Sequence, residues 1–371
     1  MYSDSDINAD MLYFGGFFVP DAFLAFQIGK KKIAVLSALE IARGKKESCF
    51  NEILSLEECL AAAKKTLKVT KPGIAEVVRW VAKEYGIKNF TVPTDFPAGL
   101  AFALKKARLN ITPKPDPFFE ARMCKSEAEA LAIREGNAAS AAGIRMASKI
   151  LSASTIKGKK LYYEGKALTS ERLRYFVDRA CLEKGAIAQN TIVAGGDQAC
   201  DPHCQGSGFL YANELIIVDV FPRVTATGYH GDMTRTFLKG TANDAQRKLV
   251  KTVRAAQKKA FETIKAGVPC PKPHAEAAAY MEKQGYVTGQ KKGVPQGFFH
   301  GLGHGLGLSV HEAPRVSPAG TGLKLKAGNV VTVEPGLYYP GVGGVRIEDV
   351  VWVRSKGYEM LSSCPYKWEL K

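Results

Sequence analysis

Leu215-Ile216-Ile217-Val218-Asp219, Val330-Val331-Thr332-Val333-Glu334 and Val345-Arg346-Ile347-Glu348 share one pattern: a run of aliphatic residues that carries or ends on an acid. Such runs read as strands buried in a sheet. A carboxylate embedded in one is costly unless something positive compensates it. A single case reads as a buried ion pair. Three of them, with Asp232 in Gly231-Asp232-Met233-Thr234-Arg235-Thr236, exceed what Arg235 and Arg346 can neutralise, and a divalent-metal site is the economical explanation.

Imidazole is supplied between these strands by His300-Gly301-Leu302-Gly303-His304-Gly305-Leu306-Gly307. If extended, this segment projects His300, Leu302 and His304 to one side, while the glycines leave the other side bare for close backbone approach. A dinucleotide loop is the rival reading and fails, because Leu306 and Leu308 stand where G-x-G-x-x-G needs its last glycine. No Walker loop, H-E-x-x-H or G-x-S-x-G elbow occurs, and Ser207 in Gly206-Ser207-Gly208 reads as a turn residue. Cys200-Asp201-Pro202-His203-Cys204 lacks a second Cys/His pair and so does not complete a zinc site. Four carboxylates and one imidazole form a hard, oxygen-rich donor set that suits Mn²⁺ better than a structural zinc, and four negative charges match two divalent ions.

Outside this set the chain reads as α+β, with two domains. Pro113-Lys114-Pro115-Asp116-Pro117 is the expected linker, dividing a smaller α/β domain, residues 1–115, from a catalytic domain, residues 116–371. In the first, the run Ile33 to Leu36 precedes a helix opened by Ser55-Leu56-Glu57-Glu58 and another between Pro72 and Gly86. In the second, Ser126-Glu127-Ala128-Glu129 opens an alanine-rich helix to about Leu151, and helices are expected over 170–184, 244–266 and 273–284. Strands are expected over 215–220, 329–333 and 345–353.

Composition excludes several classes of function. The 52 Lys+Arg against 36 Asp+Glu give a formal charge of +16, but the lysines fall in short separate clusters, with no nucleic-acid motif beside them. No apolar run approaches the ~18 residues of a membrane span, and the acidic start Met1 to Asp6 is unlike a secretory signal. Eight irregularly spaced cysteines suit a reducing compartment better than a disulfide framework, so a cytoplasmic location is expected.

Taken in order, Val218-Asp219, Gly228 to Thr236, His300 to Glu312, Val333-Glu334-Pro335-Gly336-Leu337-Tyr338 and Gly344 to Asp349 resemble the pita-bread metallopeptidases, the family of Xaa-Pro aminopeptidase, Xaa-Pro dipeptidase and methionine aminopeptidase. Leu12 to Phe17 faintly resembles the N-terminal creatinase-type domain of the proline-specific branch. The resemblance implies a C-terminal pita-bread (creatinase/aminopeptidase-like) domain. It implies two divalent ions per chain, Mn²⁺ first and Co²⁺ or Zn²⁺ as alternatives, held by Asp219, Asp232, His304, Glu334 and Glu348. Asp232 and Glu348 would bridge, and Glu334 would also relay a proton. His203 and His311 would face the substrate, His300 would lie at the pocket edge, and Tyr338 and Arg346 would support the ligands. A homodimer is also implied. One departure stands out: the family has a glycine two residues after the first aspartate and a shorter connection to the second, whereas Val220-Phe221-Pro222 follows Asp219 here. An enlarged hairpin is expected.

The activity expected first is removal of an N-terminal residue from peptides with proline second. Xaa-Pro dipeptidase is the alternative, for which Arg315 in His311-Glu312-Ala313-Pro314-Arg315 would hold the free carboxylate. Leu302, Leu306 and Leu308 are candidates to receive the proline ring. His230 and His274 read as surface positions. A peptide-binding module without catalysis, or metal-free chemistry as in creatinase, would be the reading had the five ligands been missing.

Overall fold

The computed structural model describes all 371 residues. Contacts within it gather into two units, Met1–Arg122 and Met123–Lys371. In the first, β1 (Tyr2–Ser3), β2 (Phe23–Ile28), β3 (Lys31–Leu36) and β4 (Glu52–Ser55) form one sheet in that order, and β5 (Asn89–Pro93) pairs in parallel with β6 (Asn110–Lys114). Helix α1 (Leu56–Leu67) starts where the Ser55 side chain accepts the Glu58 N–H, and α2 (Ile74–Glu84) buries Val77, Val78 and Val81. Pro113 belongs to β6 and not to a linker. A two-stranded ladder leaves one side of each strand unpaired, so a residue without an N–H is tolerated there.

The second unit is built on α3 (Glu127–Ala153), whose Ser126 hydroxyl accepts the Glu129 N–H while the Glu129 carboxylate accepts the Ser126 N–H. This reciprocal cap fixes the start of a helix rich in alanine. Its buried face carries Gly136, Asn137, Ser140 and Gly143, residues small enough for close approach. Gly136 lies so near Gly231 that a Cβ on either would overlap the other's backbone. Helices α4 (Ser170–Leu182), α5 (Asp244–Phe261) and α6 (Pro271–Lys283) complete the larger helices. The expectation of helix to 266 overshoots, because the chain leaves α5 at Glu262 and the Ala266 N–H bonds the Arg354 carbonyl.

Two sheets carry the acids. One holds β7 (Ile192–Gly195), β8 (Leu215–Val220), β9 (Met233–Lys239) and a short C-terminal strand, in that order, with Asp219 opposite Thr234. The hairpin between β8 and β9 runs from Val220 to Met233 and is pinned across its loop by the Gly231 N–H on the Pro222 carbonyl at 2.9 Å. In the other sheet β10 (Gly303–Gly305) lies between β11 (Glu312–Val316) and β12 (Val330–Val333). A hairpin of β13 (Gly336–Tyr339) and β14 (Gly343–Arg346) precedes β15 (Asp349–Arg354), which pairs with β12. The single strand expected over 345–353 is therefore two. The chain changes partner at Ile347-Glu348, and the buried Gln257 of α5 holds that crossing by donating to the Val333 and Ile347 carbonyls at 3.0 and 3.2 Å.

Candidate metal centre

Because β8, β9, β10 and the β14–β15 junction meet, the acids they carry converge. Asp219, Asp232, His304 and Glu348 are each less than 9% exposed, and Glu334 is partly buried. Asp232, His304 and Glu348 offer ligand atoms that all lie within 4.8 Å of one another. Nε2 of His304 is 3.2 Å from Glu334 Oε1 and 3.8 Å from Asp232 Oδ2. Asp219 joins from β8, at the same end of the β8–β9 hairpin as Asp232, its Oδ2 accepting from Arg346 Nη2 at 2.6 Å.

The cation count of the sequence reading is smaller still in the fold. Arg235 donates to the Glu348 and Thr234 carbonyls and pairs with Asp349 at 2.7 Å, so it neutralises none of the converging acids. Arg346 forms its one ion pair among them with Asp219. Burial first, then the neighbouring charges, push both Asp232 and Glu348 well above the usual carboxylate range: Asp219 acts on Asp232, and Asp232 and Glu334 act on Glu348. Burial also works to raise Glu334, but the His304 hydrogen bond and the charges of His304, His300 and Arg346 bring it down to about 2. Burial works to lower His304, and the hydrogen bond and charge of Glu334 overcome it, leaving its pKa above the ordinary value.

These residues fit divalent cations. Asp219 Oδ1 and Glu348 Oε1 are buried side-chain oxygens without a hydrogen-bond partner, an expensive condition that a cation relieves. His304 donates Nδ1–H to the Gly305 carbonyl at 3.1 Å, which leaves Nε2, the nitrogen that donates to Glu334, as the one that would turn its lone pair to a cation on losing its proton.

Around the acids runs a chain of polar contacts. His300 gives Nδ1–H to the Gly301 carbonyl at 2.7 Å, so its Nε2 accepts the Tyr338 hydroxyl at 2.9 Å, and burial holds this imidazole neutral with its pKa lowered to about 4. Tyr338 in turn accepts from Arg346 Nη1 at 3.0 Å. The His311 ring stands at 88° to that of His304, 4.3 Å between centroids. His203 is exposed and follows Pro202, whose carbonyl accepts from Arg346 at 3.3 Å. Arg315 is exposed on β11 and enters no ion pair.

Some expectations need correction. Leu302 and Leu306 are 0% exposed and belong to core clusters, so they cannot line a pocket for a ring. The exposed apolar side chain beside His300 and Tyr338 is Phe299, 5.3 Å from the Tyr338 ring. His230 and His274 are half-buried and not surface positions: His230 sits in the hairpin between β8 and β9, and His274 packs on Phe298. Three supporting residues escaped the sequence reading. Asn137 of α3 accepts the Asp232 N–H at 3.0 Å, Thr234 donates to Glu348 at 2.8 Å, and Thr332 takes the His304 N–H at 3.1 Å while donating to Glu334 at 3.3 Å. Both threonines stand two residues from an acid on a strand, where alternation places them on its face. Asn137 gives no comparable signal.

Residues 132–355 match the model of metallopeptidase family M24. The chain belongs to this family. It is 31% identical over 280 residues to Xaa-Pro dipeptidase of Pyrococcus horikoshii, an alignment covering 75% of this chain and 74% of that protein. Alignments to other relatives span about half of those proteins. Among solved structures, X-Pro aminopeptidase from Thermotoga maritima superposes with a TM-score of 0.79 at 23% identity, covering 100% of this chain and 96% of that one. Xaa-Pro dipeptidase from Bacillus anthracis gives 0.81 at 23% identity, covering 98% and 93%. The fold is thus the pita-bread α+β architecture, and the family makes the chain a metal-dependent hydrolase.

Proposed function

We propose that this chain hydrolyses the peptide bond between an N-terminal residue and proline, with two divalent ions held by Asp219, Asp232, His304, Glu334 and Glu348. The single observation that carries the metal part is the convergence of four carboxylates on one imidazole with Arg346 as the only compensating guanidinium. Bound divalent ions would supply electrostatic activation of the attacking water and of the scissile carbonyl. The remaining steps fall to the protein. Glu334 takes the proton of the attacking water and delivers it to the proline nitrogen, which leaves as a secondary amine and needs that proton. His203 and His311, on the exposed side, hold the substrate carbonyl. The network His300–Tyr338–Arg346 keeps Asp219 oriented, because Arg346 cannot turn without losing Tyr338 and the Pro202 carbonyl as well. Phe299 is the apolar surface offered to the proline ring.

Of the two proline-directed activities, the dipeptidase reading gains from Arg315. Its guanidinium is exposed, has no carboxylate of its own, and acts electrostatically on His311. A free proline carboxylate beside His311 would be its natural partner. The relative matched over three-quarters of this chain also bears the name Xaa-Pro dipeptidase. The sequence reading placed the aminopeptidase first, and it remains the second reading. Comparing kcat/KM for Xaa-Pro, Xaa-Pro-Yaa-Zaa and Xaa-Ala decides: preference for the free dipeptide supports the dipeptidase, preference for the longer peptide the aminopeptidase, and equal cleavage of Xaa-Ala removes proline specificity.

A further inference from the structure

Lys125 is not among the residues given a role above, yet its side chain is only 1% exposed and its ammonium pairs with Glu312, itself 11% exposed in its side chain. A lysine taken this far from water needs a carboxylate partner held in fixed geometry. Both ends of the pair are fixed. The Lys125 N–H bonds the Gly328 carbonyl at 2.7 Å, and the buried Asn329 donates to the Met123 carbonyl at 2.8 Å, so the segment entering α3 is laced to the turn before β12. Glu312 pairs with Gly305 in the β10–β11 ladder, and its carboxylate packs on Gly307, where a Cβ would collide with it. The Gly307 carbonyl is meanwhile held by the His230 N–H at 2.9 Å.

Glu312 is therefore restrained by the sheet, by a glycine surface and by Lys125. The residue before it is His311, whose ring lies 4.3 Å from His304, and three residues beyond it on the same short strand is Arg315. A buried ion pair contributes little net stability compared with a well-packed apolar pair. What it supplies is a fixed position.

We propose that Lys125 is a positioning residue: through Glu312 it sets the start of β11 so that His311 and Arg315 face the bound peptide. This rests on the substrate-facing role given to His311 in the proposed function. A misplacement of about 1 Å in such a group is enough to cost a large factor in rate.

The test uses the full-length, metal-loaded protein and a free Xaa-Pro dipeptide, comparing wild type with Lys125→Met, Lys125→Arg, His311→Ala and the double variant Lys125→Met/His311→Ala. Lys125→Met is expected to lower kcat/KM on the order of 10–100-fold, as loss of an outer supporting partner does, while metal content stays at the wild-type level. Lys125→Arg, which keeps the charge, restores most of the loss. In the His311→Ala background the Lys125→Met change costs clearly less than it does in wild type, the remainder being the part that acts through Arg315. A Lys125→Met protein with wild-type kcat/KM, or one whose loss multiplies fully with that of His311→Ala, overturns the proposal. If Lys125→Met does not fold, Glu312→Gln replaces it in the same cycle and is read the same way. An active His311→Ala removes the substrate role of His311 and the positioning role together, whereas an impaired His311→Ala with a silent Lys125→Met removes only the latter.

Discussion

Each unit of the molecule encloses a concavity, and the two differ in what lines them. In the first unit an apolar cavity of about 350 Å³ is bounded by residues such as Phe14, Phe26, Val78, Val81, Phe90 and Leu104. No group of acids and histidines converges on it. In the second unit the space between the strand ends is lined by four carboxylates, three histidines and one guanidinium, and two of the buried carboxylate oxygens lack any partner. The unsatisfied and mutually repelling polar atoms mark the second, because folding keeps such groups together only where a ligand or a reaction repays their desolvation.

The largest effect expected of any change follows from this contrast. Glu334→Gln keeps shape and one oxygen but removes the base that moves the proton, so kcat should fall on the order of 10²–10⁴-fold with a small change in melting temperature. A fully metallated variant with near wild-type kcat sinks the role of Glu334. Chelation should abolish activity, with about two divalent ions per chain restoring it, Mn²⁺ among them. An intact protein that takes up no metal specifically breaks the comparison at its root.

A second measurement sharpens it through pH. Burial and neighbouring carboxylates raise Asp232 and Glu348 in the folded, chelated protein above their unfolded values of about 4. Their stabilising contribution is therefore fully present below about pH 4 and is lost as pH rises through the raised folded values. His304, also raised, acts in the same sense from about pH 6.5 upward. Bound metal removes this repulsion, since it needs the deprotonated ligands. The melting-temperature gap between metal-loaded and chelated protein should widen from about pH 5 to pH 8. A gap that narrows contradicts the assigned ligands.

Gly136→Ala probes the support beneath the centre. Its Cβ would run into the backbone of Gly231, one residue before Asp232, and neither helix α3 nor the pinned hairpin has room to move aside. A loss on the order of 1–3 kcal/mol in stability is expected, as for an overpacked core, together with weaker metal binding. Urea titrations of the chelated protein and metal competition assays separate the two effects.

Much of this was readable before any coordinates. Strands ending in acids are rare enough that their chemistry shows in one dimension, and the caps at Ser55 and Ser126 are local codes that the fold keeps intact. Three kinds of information were not local. Whether 345–353 is one strand or two depends on which neighbour each half pairs with, and no turn residue between the halves marks the break. Leu302 and Leu306 share the spacing of pocket residues, but the core packed behind them claims their side chains. Asn137 supports Asp232 from 95 positions away in the chain, a pairing that only the close approach of Gly136 to Gly231 creates.

The smallest expected effect belongs to the first unit. Val81 lines its cavity, is 1% exposed and lies on the buried face of α2, so Val81→Ile adds one methylene to a space that has room for it. Filling such a space exchanges empty volume for dispersion contacts, and conserving the β-branch keeps the side chain in its helical rotamer. A gain of up to about 1 kcal/mol is expected, since part of the added area must still find its fit against fixed neighbours. Because no acid or histidine lines the cavity, metal content and kcat/KM toward Xaa-Pro should stay at wild-type values. Melting curves with and without metal, run beside steady-state kinetics, check both halves. A Val81→Ile protein whose kcat/KM shifts severalfold at unchanged metal content would tie the apolar cavity to the chemistry, and the separation drawn between the two concavities would fail.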